Sequence, residues 1–149
     1  MRIGHIATAQ TITCTPDEPV EGAALLMRQH HVGDLVVADE RHGEKIPLRI
    51  LTDRDILVSV IALGRDPASL LVGDVMRDDL LTVIKSDDVY ETIERLRLRG
   101  IRRVPVVNRD GALAGIVSAD DLRAFLSEGM GELSRIASHQ QNQEKHARH

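Results

Sequence analysis

The chain has no tryptophan, and Tyr90 and Phe125 are its only aromatic residues. The stacking platforms on which single-stranded nucleic acids rest are therefore missing, and a core must be assembled from Val, Ile, Leu, Ala and Met. Cysteine is equally scarce. Cys14 stands alone, which excludes an internal disulfide and a cysteine-based zinc site; it reads as a small apolar residue in a strand. No stretch approaches the ~20 apolar residues of a membrane span, and no long apolar run follows Met1-Arg2-Ile3-Gly4-His5, so a secretory signal is not expected. Neither sign of charge dominates: 19 basic against 23 acidic residues give a formal net charge of −4. Nucleic acid and anionic membrane both want a basic field, so neither is an expected partner, and the expected location is cytoplasmic.

Catalytic signatures are missing too. There is no glycine-rich loop of the Walker or Rossmann form and no Ser/His/Asp or Cys/His arrangement. Asp53 and Asp55 are two apart and face apart, and the neighbours His30 and His31 point about 100° apart on a helix. No enzyme activity, no metal site and no required cofactor are expected.

What the chain does have is repetition. Gly4 and Gly73 stand 69 positions apart, and at that spacing Thr13 faces Thr82, Val20 faces Val89 and Val37 faces Val106. After a three-residue slip, Ile50-Leu51-Thr52-Asp53-Arg54-Asp55 faces Ile116-Val117-Ser118-Ala119-Asp120-Asp121 at a spacing of 66. Each half reads strand, helix, strand, strand, helix. In the first half, Thr11 to Cys14 is a strand, and Asp17-Glu18-Pro19 is a helix start. Val20, Ala23, Ala24 and Met27 then form an apolar helical face. Leu35 to Ala38 and Leu48 to Leu51 are strands flanking a charged loop from Asp39 to Lys45, and Asp53 opens a helix that Gly64 closes. In the second half, Ser86-Asp87-Asp88 starts a helix ending at Gly100, and Asn108 to Gly111 is a hairpin turn. The expected fold is α+β or α/β: two pseudo-symmetric β-α-β-β-α repeats, residues 3–66 and 67–128, packed through their sheets. Residues 129–149 form a polar helical extension or frayed tail.

The repeated feature of chemical interest is a hydroxyl at a strand end with a carboxylate three residues on: Thr52 with Asp55, and Ser118 with Asp121. A helix start offers unpaired N–H groups and a positive dipole end, a seat for phosphate. An ionised carboxylate only accepts, so it can take both hydrogen bonds of a ribose diol. Ser/Thr-x-x-acid is also close to a capping box, in which the two side chains satisfy the helix start itself. Duplication copies caps as faithfully as sites, so both readings stand.

Three pieces in order resemble a tandem pair of cystathionine-β-synthase (CBS) domains, a Bateman module of the small stand-alone bacterial type. They are Pro-Asp-x-x-Val or Ser-Asp-Asp-Val helix starts, a Val-Pro-Val-Val strand, and a Gly-Ile-Val-Ser-x-x-Asp turn. The resemblance spans about residues 3–128. It implies a regulatory module that binds AMP, ADP, ATP or S-adenosylmethionine in clefts between repeats and signals by conformational or oligomeric change. Carried over by position, Asp55 and Asp121 hold ribose, with Thr52 and Ser118 near ribose or phosphate. Arg102 and Arg103, just before the apolar strand, face phosphate. Their first-repeat counterparts are Gly33 and Asp34; Asp34 would repel a phosphate, and Arg54 compensates in part. The adenine slots are expected to mix halves: Val32 and Ile12 serve the cleft of Asp121, and Ile101 and Val83 that of Asp55. The Asp121 cleft is the expected better anion site. A homodimer is expected to cover the apolar helix face of Ile56, Val60 and Ile61, with a separate effector protein as a possible listener. The alternative is a dimerisation or partner-docking module that binds no small molecule.

Overall fold

The computed structural model describes residues 1–76 and 79–148. Arg77, Asp78 and His149, the last residue of the expected tail, lie outside the described residues. Two three-stranded sheets carry the same plan. In the first, β1 (Thr13–Cys14) runs parallel to β2 (Asp34–Arg41), which pairs antiparallel with β3 (Glu44–Thr52). In the second, β4 (Val83–Ile84) runs parallel to β5 (Arg103–Val107), and β5 pairs antiparallel with β6 (Leu113–Ser118). Even the irregularities repeat: the register shifts between Val37 and Ala38 in one hairpin and between Val106 and Val107 in the other.

The charged segment expected as a loop from Asp39 to Lys45 is hairpin instead. Its turn is only His42-Gly43, with φ of 53° and 78°. Two consecutive positive φ values are what a two-residue type I′ turn demands, so the strands run on to Arg41 and from Glu44. The charges sit there because the hairpin tip is exposed, and Arg41 pairs with Asp39 at 3.0 Å.

The helices show two ways of capping. Helix α4 (Val89–Arg99) is capped by Asp88, whose carboxylate accepts from the N–H groups of Tyr90 and Glu91 at 2.9 and 3.2 Å; Gly100, at φ 63°, ends it. Helix α1 (Val20–His30) is not capped by Asp17, since the helix begins after Pro19. The N–H groups of Val20 and Glu21 donate to the carbonyls of Leu70 and Pro67, at 2.9 and 3.0 Å. The chain between the repeats thus supplies the missing acceptors. Val20, Ala23 and Met27 are buried as the periodicity requires, while Ala24 is exposed.

Two cores form, and each borrows from the other repeat. The first gathers Cys14, Val20, Met27, Leu35, Val37, Leu51, Ile56 and Val60 around Val72, the first residue of the short helix α3 (Val72–Val75). The second core gathers Val83, Val89, Leu96, Val104, Val106, Val117 and Leu122 around Ile3, which lies in a 3-10 turn at the N-terminus. Backbone bonds fix both insertions. Ile3 and Gly4 donate to Asp87 and Lys85 at 2.9 Å each, and Val72 and Gly73 donate to Glu18 and Pro16 at 2.8 and 2.9 Å. Thr8 exchanges both backbone bonds with Ile116, at 2.9 and 3.0 Å. A Cβ on Gly115 would stand 2.6 Å from the Thr8 carbonyl oxygen, so that close approach requires glycine.

Helix α2 (Asp53–Ile56) continues as a wider π-type turn, Leu57–Ile61. The apolar face assigned to a dimer partner is corrected here. Ile56 and Val60 are buried in the first core, whereas Leu57, Val58 and Ile61 are exposed. At about 100° per residue, Ile56 and Val60 share one face while Leu57, Val58 and Ile61 share another, so Ile61 points away from the buried pair. The tail is helical: α5 runs unbroken from Ala119 to Ala147, 29 residues, and Leu122 is its buried residue. No helix among the described residues is long and apolar enough to cross a membrane.

Candidate functional site

The two hydroxyl–carboxylate turns sit where β3 passes into α2 and β6 passes into α5. Each is a complete capping box. Thr52 Oγ1 accepts from the Asp55 N–H at 3.0 Å, and Asp55 Oδ2 accepts from the Thr52 N–H at 3.0 Å. Ser118 and Asp121 repeat this at 3.0 and 2.9 Å. The next N–H of each helix is satisfied from the neighbouring strand, Asp53 by the Gly33 carbonyl at 2.9 Å and Ala119 by the Arg102 carbonyl at 2.7 Å. The four side chains are half-buried. An ionised carboxylate offers about four lone-pair sites, so taking part in a cap does not bar it from a ligand.

Register places the flanking charges. Asp34 pairs with Thr52 across β2 and β3, and Arg103 pairs with Ser118 across β5 and β6. Asp34 and Arg103 then meet each other, Oδ2 to Nε, at 2.6 Å. Burial pushes the Asp34 carboxyl up; Arg103 beside it opposes that, Asp53 adds to it, and the outcome lies above the ordinary value. Arg102 lies 3.4 Å from Asp120, and Arg123 lies 3.6 Å from the same carboxylate oxygen. Arg54 is exposed in the first turn. The repulsive Asp34 and the attractive Arg103 of the sequence reading are therefore one ion pair. A signal was available, because the two occupy equivalent positions of the repeat and carry opposite charge.

The expected adenine-slot residues divide. Ile12 and Val32 are partly buried against the first core, and Ile101 against the second. Val83 is corrected: at 1% exposure it belongs to the interior of the second core and presents no surface to a ligand. The equivalent of Ile12 at the repeat spacing is Leu81, which is partly buried against that core. A cleft of about 440 Å³ also opens at the hairpin ends, lined in part by Thr11, Thr13, Lys45 and Asn108. None of the expected site residues lines it. Cys14 is buried, and burial followed by the charge of Glu18 raises its thiol to about 11, so it is no nucleophile. Among the described residues no group of three or more His, Cys, Asp or Glu could hold a metal ion.

The sequence matches the family model "CBS domain" twice, over residues 3–62 and 72–128. An uncharacterized protein of Methanopyrus kandleri, MK0525, is 32% identical over 120 residues; the alignment covers 80% of this chain and 60% of that one, so the chain spans less than two thirds of that relative. The CBS domain-containing protein YhcV of Bacillus subtilis is 32% identical over 135 residues, covering 89% of this chain and 92% of its own. Among solved structures, the CBS domain protein PAE2072 of Pyrobaculum aerophilum, complexed with AMP, superposes with a TM-score of 0.74 at 26% identity. That match covers 86% of this chain and 97% of the other.

Proposed function

The chain belongs to the CBS domain family, and from that premise we propose that it is a regulatory module that senses an adenosyl ligand in clefts formed between its two repeats. The ligands in question are AMP, ADP, ATP and S-adenosylmethionine. The observation that carries the reading is the hydroxyl–carboxylate turn, held half-buried and in the same geometry in both repeats. The AMP bound to PAE2072 supports the ligand class. Asp55 and Asp121 would take the ribose hydroxyls, with Thr52 and Ser118 beside them. Arg54, Arg102 and Arg103 lie at the phosphate side, and Ile12, Val32 and Ile101 flank the base.

Each core contains a segment of the other repeat, so a ligand that draws the halves together acts on both. Its effect is a population shift, bounded by its differential affinity for the closed arrangement. The output passes to a second copy or to a separate effector rather than to chemistry at the cleft. Leu57, Val58 and Ile61 are exposed, and a second copy of the chain would cover them.

Thermal unfolding with a panel of AMP, ADP, ATP, S-adenosylmethionine and adenosine tests the proposal. A ligand at ~100 times its Kd adds about 2.7 kcal/mol, which for a chain of this size raises Tm by about 5–11 °C. A flat response to the whole panel rejects the adenosyl reading. It would favour a docking module whose boxes serve only as caps.

A further inference from the structure

Positions 34 and 103 are counterparts in the two repeats, lying just before the apolar strand of each half, yet one is an acid and the other a base. Their side chains meet at 2.6 Å between the two hydroxyl–carboxylate turns, Asp34 opposite Thr52 and Arg103 opposite Ser118. We propose that Asp34 is an internal competitor for the phosphate-binding charge of Arg103, so that the clefts select adenosyl ligands by their nucleoside and discount their phosphates. This inference rests on the reading of the clefts as adenosyl sites.

A cleft binds phosphate through guanidinium charge that is not already spent. In the second turn, all three nearby arginines have a carboxylate within reach: Arg102 at 3.4 Å, Arg123 at 3.6 Å and Arg103 at 2.6 Å. The first two pairs are well exposed on both sides and weak for that reason. The Asp34 side chain is only 14% exposed, so its charge is less screened and its hold on Arg103 stronger. A phosphate approaching Arg103 must displace that carboxylate or sit beside it. Asp53 adds a further negative charge to the neighbourhood, close enough to push the Asp34 carboxyl up. The fold thus keeps a half-buried carboxylate, disfavoured by its surroundings, against the arginine a phosphate would use. Asp34 touches the ligand only through Arg103, which makes it a residue that sets specificity by positioning charge.

Calorimetric titration of the full chain with adenosine and with AMP reads this directly. Wild type is expected to bind the two within about threefold of each other. Asp34→Asn frees Arg103 and is expected to tighten AMP by about tenfold, the order of one charge-assisted hydrogen bond, with adenosine unchanged within about twofold. Asp34→Glu restores the carboxylate and the wild-type ratio. Arg103→Gln added to Asp34→Asn is expected to remove the tenfold gain in AMP affinity, because the freed guanidinium is the group that takes the phosphate. The AMP-to-adenosine ratio is the decisive quantity, since a loss of stability alone would weaken both ligands together. A ratio unmoved by Asp34→Asn overturns the inference, as does a gain that persists when Arg103→Gln is added. If neither ligand binds wild type or any variant, the adenosyl reading itself has failed, and the inference falls with it.

Discussion

The proposed function gives Asp121 a second job beside its cap, and Asp121→Asn separates the two. In the structure its Oδ2 accepts the Ser118 N–H at 2.9 Å, while its own N–H donates to Ser118 Oγ at 3.0 Å. An asparagine oxygen can take the place of Oδ2, so the cap survives in outline. What disappears is the negative charge at the start of α5, worth about 0.3–1 kcal/mol at a helix N-terminus. Urea denaturation should therefore show a loss of no more than about 1 kcal/mol with an unchanged m-value. The ligand side is harsher. A ribose diol offers two donors, and the amide presents one acceptor and one donor where the carboxylate presents two acceptors. Losing one charged hydrogen bond costs about 1.5–3 kcal/mol, a weakening of about 10- to 150-fold. Calorimetry with AMP and with adenosine should show that loss for both, since ribose is common to them. Undiminished affinity alongside the small stability loss would refute the double role and leave Asp121 as a cap alone. Ser118→Ala provides the contrast: it removes the reciprocal acceptor and should cost about 0.5–2 kcal/mol of stability.

Other predictions concern the body and its titration. Ile3→Ala should cost about 2–5 kcal/mol in urea, because the side chain is fully buried in the second core and its removal leaves a cavity; a cost near zero would show that the N-terminal turn is not part of that core. Gly115→Ala should cost about 1–3 kcal/mol by forcing the Thr8 segment away from β6, with the largest gain in amide exchange at Thr8 and Ile116. The Asp34 carboxyl lies above its ordinary value when folded. The folded chain therefore takes up that proton before the unfolded chain does, and this group's contribution to stability is lost as pH rises through its raised value. Asp34→Asn should remove that slope, so wild type should lose ground to the variant as pH rises from the ordinary carboxylate range. A constant difference would contradict the assignment. The Cys14 thiol, raised from 9.0 to about 11, should remain unreactive to a thiol reagent at neutral pH until the chain unfolds, and stability should fall between about pH 9 and 11 as the unfolded thiol ionises first.

The sequence was most legible where local chemistry acts alone. Asp88 and Gly100 bound α4 as their residue types require, and the Ser/Thr-x-x-Asp pattern proved to be a true capping box in both halves. It was less legible where a partner lies far along the chain. Asp17 and Pro19 looked like a cap, but Leu70 and Pro67 already satisfy the start of α1, and no local pattern announces a carbonyl fifty positions away. Ile56 and Val60 stand four apart on one face and Ile61 about 100° away from Val60, and only the packing of the first core decides which of these faces is covered. Val83 stands in a two-residue strand, too short for alternation in the sequence to show which face is buried.

The least legible feature was the charge divergence at Gly33-Asp34 against Arg102-Arg103, and its explanation lies in the symmetry. When a duplicated chain folds about a twofold axis, residues near that axis meet their own counterparts. Asp34 meets Arg103 at one end of the strands, and at the other end Glu44 comes near Asp110, its counterpart after the three-residue slip. An identical pair of charges on the axis repels itself, as Glu44 and Asp110 do when the nearness of Asp110 pushes the Glu44 carboxyl up. Opposite charges on the axis attract, but only if the two repeats differ there. Sequence divergence at an axial position is thus a property of the pair: Asp34 and Arg103 form a single contact, with Asp34 beside one turn and Arg103 beside the other. Reversing the pair by Asp34→Arg with Arg103→Asp should therefore keep the fold and the contact, while Asp34→Arg alone sets two arginines against each other on the axis. Urea denaturation of the two variants decides the point: a double variant no more stable than the single one would place the axis elsewhere.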